Sequence, residues 1–146
     1  MRRFVLLPLL CGVVVFGLAA ETPNDREARA AANTFGQALQ EGDSSRLRSL
    51  MPTKGKVRLR LMRLGNEQGS FSAGQVQSLL QDFLRQGSVE SFEAVGVEHD
   101  PGVYALVRCR ARIIDREGRH AETEIHLDFE PEGQHWVLRS IRESPP

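Results

Sequence analysis

Lysine and cysteine are both scarce in this chain. Only Lys54 and Lys56 stand among its 19 basic residues, a bias we read as genomic composition rather than function. The two cysteines are Cys11 and Cys109, and no CxxC or HExxH frame exists to hold a metal. The histidines His99, His120, His126 and His135 fall in or beside expected turns or on an outward strand face, and no spacing among them suits a metal on one element. No G-x-S-x-G frame marks a nucleophile, and the glycines form no phosphate cradle. Internal repeats, low-complexity runs and linkers are also missing.

One apolar run is present, at the start. Arg2 and Arg3 precede the apolar stretch Phe4 to Phe16, and Gly17-Leu18-Ala19-Ala20 supplies small residues for cleavage. This is the layout of a secretory signal peptide over residues 1–20. An uncleaved anchor is the alternative, though the run is shorter than the ~18–20 residues that span a bilayer. Leu10 is too bulky before Cys11 for a lipoprotein signal, and the residues after Arg3 do not follow the twin-arginine motif. The expectation is an exported protein, periplasmic or extracellular, with no stable membrane span once the leader is gone. Residues 21–146 then form one domain with one modest core. They carry 17 basic against 19 acidic side chains, a net charge of −2, so no global field draws the chain to nucleic acid. With Cys11 removed, Cys109 has no disulfide partner and reads as a small core residue.

The strongest pattern is Val103 to Phe129. Val103, Ala105, Val107, Cys109, Ala111 and Ile113 share one face of an extended chain, and Tyr104, Leu106, Arg108, Arg110 and Arg112 share the other. After a turn, Ala121, Thr123, Ile125, Leu127 and Phe129 resume the inward face, with Glu122, Glu124, His126 and Asp128 outward. A period of two with one apolar face is a half-buried hairpin. Inward residues must oppose inward residues, so a three-residue loop Arg116-Glu117-Gly118 sets Arg112 opposite Glu122, Arg110 opposite Glu124 and Arg108 opposite His126.

Upstream, Glu21 to Asp25 reads as a polar tether. Ala28, Ala31, Ala32, Phe35, Ala38 and Leu39 follow helical spacing from about Arg26, and Gly42 stops that helix. A short helix restarts at Asp43 or Ser44. Val57, Leu59 and Leu61 alternate as a strand, and Gly65 to Gly69 reads as a loop. Ser72-Ala73-Gly74-Gln75 is a capping box with Phe71 placed to staple onto Val76, and the helix it opens ends at Gly87. Val89 to Glu98 is a strand with Phe92, Ala94 and Gly96 on one face, and Gly96 signals a bulge. Asp100-Pro101-Gly102 turns into the hairpin. Glu132-Gly133 makes the last turn. In the final strand, Trp136 to Ile141, Trp136 and Leu138 compete with Val137 and Ile141 for the inside. Helices followed by a run of strands predict an α+β fold with helices on one face of an antiparallel sheet.

Phe35-Gly36-Gln37-Ala38-Leu39-Gln40-Glu41-Gly42-Asp43 and the meander ending Trp136-Val137-Leu138-Arg139-Ser140-Ile141-Arg142 make the chain resemble the nuclear transport factor 2-like superfamily. Phe71-Ser72-Ala73-Gly74-Gln75, Phe83-Leu84 and Ser91-Phe92 are similar to an exported bacterial branch of unknown function. The resemblance implies a cone of helices against a curved sheet. Where members are enzymes, it implies a pocket between the sheet's concave face and the helices. The inward face of the hairpin carries no carboxylate, histidine or tyrosine to serve as a general acid or base there.

The expectation is therefore a non-catalytic binding or interaction module, with a small-molecule lyase or isomerase using the cone as the alternative. No catalytic residue, metal or cofactor is expected. Arg46, Arg48, Lys54, Lys56, Arg58, Arg60 and Arg63 lie in an acid-free stretch. They read first as a charged strand edge and second as a patch for an anionic partner. The candidate ligand- or partner-binding residues are Arg58 and Arg60, with Tyr104, Arg108, Arg110 and His126 of the outward hairpin face. The expected partners are a second copy of the chain, another protein or a small apolar ligand.

Overall fold

The Thr22 hydroxyl accepts from the Asp25 amide at 3.2 Å, and the Asp25 carboxylate accepts from the Thr22 amide at 3.1 Å. This reciprocal box starts helix α1 (Pro23–Gln40), so the stretch expected as a tether is the first helical turn. A proline at the first helical position has no amide hydrogen to lose there, which makes the early start favourable. The computed structural model describes residues 21–100 and 104–144. The leader and the Asp100-Pro101-Gly102 turn, apart from the backbone of Asp100, lie outside the described residues.

α1 buries the stripe its spacing predicted, Ala28, Ala31, Ala32, Phe35, Ala38 and Leu39. It ends in a Schellman turn. The Gly42 amide donates to the Leu39 carbonyl and the Asp43 amide to the Ala38 carbonyl, with Gly42 at φ +70°. A short 3-10 helix (Ser44–Leu50) follows. Next come strands β1 (Val57–Arg60) and β2 (Gln68–Phe71), helix α2 (Ala73–Gln86), and strands β3 (Ser88–Asp100), β4 (Tyr104–Ile114), β5 (His120–Glu132) and β6 (His135–Ser144). The α+β class is as expected.

In α2 both bonds of the expected capping box are made, Gln75 amide to Ser72 hydroxyl and Ser72 amide to Gln75 side chain. Phe71 is half-buried against the core that includes Val76. Gly87 ends this helix in extended backbone, at φ −135°. Glycine is needed there for space, because a Cβ would stand 2.6 Å from the Ile114 carbonyl oxygen.

The sheet order is β2-β1-β6-β5-β4-β3. β1 and β6 run parallel, and the other neighbours are antiparallel. The hairpin register is the predicted one: Arg112 opposes Glu122, Arg110 opposes Glu124 and Arg108 opposes His126. Gly118 takes the left-handed position of the three-residue loop at φ +76°.

Two further expectations are corrected, and the open parity of the last strand is resolved. The Gly65–Gly69 loop contains the start of β2, an edge strand too short and too polar to show periodicity. In β3, the register shift between Ala94 and Gly96 reverses the faces, so Val97 packs inward and Gly96 opposes Arg108 on the other side. In β6, Leu138 opposes Phe129 while Ser140 opposes Asp128, which leaves Arg139 as an extra residue. A bulge flips parity. Trp136 and Leu138 therefore face inward before it, and Ile141 and Glu143 face inward after it.

α1 lies across β3. The Phe92 ring sits on Gly36, where a Cβ would come within 2.1 Å of it, and the Phe35 and Phe92 ring centres are 5.8 Å apart. The core lies between the helices and the inner sheet face and contains Phe35, Phe83, Leu80, Val107, Ile125 and Phe129, all 0% exposed.

Candidate functional site

The inner face leaves little for chemistry. Cys109 is buried among apolar groups, and burial raises its thiol pKa to about 12, so it stays a neutral thiol. Trp136 is half-buried, with its indole N–H donating to Glu27 at 2.9 Å. β6 adds one carboxylate that the hairpin pattern could not reveal, Glu143, 2% exposed. Its Oε2 accepts the amides of Met62, Arg63 and Leu64 at 2.6, 2.8 and 3.0 Å, and its Oε1 accepts the Thr123 hydroxyl at 3.1 Å. Four donors on two oxygens make this a structural clamp between the end of β6 and the chain leaving β1. The contacts leave no oxygen pointed at a reactant.

The outer face, away from the helices, holds all six candidate residues on the same side of the sheet. Arg58 and Arg60 project from β1 beside Ser140 and Arg142 of β6. His126 and Asp128 follow on β5, then Arg108 and Leu106 on β4. The acid–base pairing is partly diagonal. Arg110 reaches Glu122 at 3.4 Å although its backbone opposes Glu124, and His126 turns to Glu124 on its own strand. Arg108 pairs with Glu98 of β3 at 3.4 Å. Arg58 and Arg60 have no ion-pair partner among the described residues.

Two of the six, Arg58 and Tyr104, meet in one cleft of about 370 Å³. Its walls include Leu106, Asp128 and Glu130, with Arg139, Ser140 and Arg142 from β6. Arg139 donates to Glu130 at 2.8 Å and to the Lys54 carbonyl at 3.0 Å, and Arg142 bonds both oxygens of Asp128 at 3.2 Å. The Ser140 hydroxyl and the Arg142 Nε are buried without a hydrogen-bond partner. Arg60, Arg108, Arg110 and His126 stay on the open face outside the cleft lining.

No family model matches the chain, and no curated protein does. Solved structures do. An NTF2-like family protein from Streptomyces avermitilis, described as a candidate dehydratase, is 22% identical at a TM-score of 0.65, covering 86% of this chain and 99% of its own. A DUF4783 family protein from Bacteroides uniformis is 16% identical at 0.61, covering 78% and 95%. A domain of unknown function with a cystatin-like fold from Nostoc punctiforme is 12% identical at 0.65, covering 86% and 79%. The fold is the NTF2-like cone. At these identities the likeness carries the architecture and leaves the chemistry to the site.

Within this NTF2-like cone the seven cations of the acid-free stretch do not form one strand edge. β2 covers β1, so Arg58 and Arg60 lie on an interior strand, while Arg46 pairs with Glu41 at 2.6 Å on the far side of the helix junction. The parity argument did not single out Ser140, Arg142 or Glu143, because the bulge at Arg139 breaks the alternation. The usable signal was the conflict itself, with Leu138 and Ile141 both apolar and three residues apart in a strand. No helix among the described residues is long and apolar enough to cross a membrane, and no cluster of metal-ligating side chains occurs among them.

Proposed function

We propose that the protein is an exported, non-catalytic binding module that works through the outer face of its sheet, with a second copy of the chain as its first partner. The observation that carries this reading is the state of the cone. Phe35, Phe83 and Phe129 fill it at 0% exposure, and the only inner-face carboxylate among the described residues is consumed by four structural hydrogen bonds. A small-molecule lyase needs a titratable group free to act beside its substrate, and among the described inner-face residues Cys109 is held as a neutral thiol and Glu143 is bound by its four donors.

Charge arrangement supports the choice of a second copy. On the outer face β4 presents Arg108, Arg110 and Arg112, while β5 presents Glu122, Glu124 and Asp128. A two-fold axis between β4 and β5, along the strands, lays the basic column of β4 on the acidic column of β5 of the other copy. That is the self-complementarity an isologous contact requires.

Native mass spectrometry of the protein purified after export tests the reading. The expected spectrum is a dimer of chains whose mass shows the leader removed. Arg110→Glu should shift the population to monomer, and Arg110→Glu with Glu124→Arg should restore the dimer. A monomer at every concentration, or a chain that keeps its leader, overturns the reading.

A further inference from the structure

We infer that the outer-face cleft is a binding site for a monocarboxylate that carries an apolar or aromatic group. The inference deepens the reading of the outer face as the binding face, and it does not require the second copy.

The charge count in the cleft sets the valence. Arg58, Arg139 and Arg142 face Asp128 and Glu130. Arg139 is held by Glu130 and also reaches Glu132, outside the lining, at 3.8 Å, and Arg142 is held by Asp128, so Arg58 is the cation of the lining without an ion-pair partner among the described residues. One negative charge is what Arg58 can pair. A dianion would meet the two carboxylates that already occupy the matched arginines, so inorganic phosphate is the wrong valence.

Unmet donors set the position. Ser140 is 5% exposed, yet its hydroxyl has no partner, and the Nε of Arg142 is also buried without one. Register places Ser140 directly beside Arg58 on the neighbouring strand and beside Asp128 on the other. Buried polar groups in native proteins are almost always bonded. An orphan hydroxyl and an orphan N–H flanking an unpaired guanidinium make a set of donors lacking an acceptor. A carboxylate oxygen supplies one. Arg58 takes the second oxygen, in the charge-assisted geometry that guanidinium favours. Because both orphan atoms are buried, binding requires a side chain at the cleft to move aside.

The remaining wall sets the rest of the ligand. Leu106 offers an aliphatic surface and Tyr104 a ring, with Tyr104 42% exposed. The volume sits at the lower end of small-ligand sites, about 300–1,000 Å³. It fits a ring or short branched chain attached to the carboxylate. The carboxylate can belong to a free small acid or to a peptide C-terminus ending in an aromatic residue.

The test is titration of the isotope-labelled mature protein, followed by amide NMR. The probes are 3-phenylpropionate, its neutral amide, inorganic phosphate, and a short peptide ending in Phe with a free or an amidated C-terminus. The expected result is saturable shifts at Arg58, Tyr104, Leu106 and Ser140 with 3-phenylpropionate. The neutral amide and phosphate should bind about tenfold more weakly or worse, the discrimination one charge-assisted bond provides. Arg58→Gln and Ser140→Ala should each weaken binding, with the rest of the spectrum unchanged. Tighter binding of the free-carboxylate peptide than of 3-phenylpropionate assigns the site to chain termini, and the reverse assigns it to free acids. Equal shifts with phosphate, shifts spread over Arg110 and Arg112, or no saturation with any probe overturns the inference. Diffusion measured in the same samples separates the two readings. A monomer that binds the acid removes the second copy and keeps the cleft. A dimer that ignores every probe does the opposite.

Discussion

Glu143 Oε2 lies 3.0 Å from the amide nitrogen of Leu64, across the parallel pair β1 and β6. The same oxygen takes the amides of Met62 and Arg63, so one side chain organises the chain as it leaves β1. Glu143→Gln keeps one oxygen for those amides but loses the charge and replaces by an NH2 the oxygen that accepts the Thr123 hydroxyl. It should cost about 1–2 kcal/mol. Glu143→Leu leaves the amides and the Thr123 hydroxyl unmet in the interior and should cost about 3–5 kcal/mol. Urea unfolding midpoints of the two variants check this. A leucine variant as stable as the glutamine variant would show that the clamp is not what holds the turn.

Gly36 and Gly74 make a matched pair of helix glycines. Alanine is favoured over glycine in a helix by up to about 1 kcal/mol. At Gly74 nothing lies within 4 Å of an added Cβ, so Gly74→Ala should stabilise by a few tenths to about 1 kcal/mol. At Gly36 the added Cβ meets the Phe92 ring at 2.1 Å, near the ring's attachment point rather than a mobile tip. The overpacking term of about 1–3 kcal/mol outweighs the propensity gain, and Gly36→Ala should destabilise. Thermal melts showing the same sign at both sites would contradict the packing of α1 on β3.

Cys109 is fully buried and unpaired, with its thiol pushed up to about 12. A thiol reagent should therefore label native protein no faster than the protein unfolds, and labelling should become immediate in denaturant. Rapid labelling in buffer would place Cys109 outside the core.

Acid sensitivity should concentrate in the hairpin loop. The Arg119 amide donates to Asp115 at 2.9 Å, the Arg119 guanidinium adds a second bond, and the Glu117 amide a third. Together they hold the Asp115 carboxyl below the ordinary aspartate range. A carboxyl whose folded value lies below its unfolded value contributes stability that is present above the unfolded value and is lost as pH falls through the folded one. Asp43 and Glu132 shift the same way, through bonds from Ser45 and Thr53. Asp115→Ala should reduce the loss of stability on acidification below about pH 4, read from melting temperatures at a series of pH values. An unchanged acid limb would mean that the loop bonds do not differ between the folded and unfolded chains.

Much of this protein could be read from neighbouring residues alone. The Ser72–Gln75 capping box, the α1 stripe from Ala28 to Leu39 and the Arg112–Glu122 register follow from interactions spanning a few residues or one short turn. Their physics is contained in the stretch that shows the pattern. The α1 start at Pro23 was missed for a lesser reason, since Thr22 and Asp25 form a box without the usual Glu or Gln.

Tertiary structure decided the rest. β1 finds β6 about eighty residues later, and parallel pairing leaves no turn signal to read. At Arg139 β6 carries one residue more than β5 opposite it, and beyond that residue β6 also pairs with β1. That residue flips every later side chain, sending Glu143 into the core and Ser140 to the floor of the cleft beside Arg58. Parity along one strand cannot report such a flip, because the register that defines it involves the strands beside it.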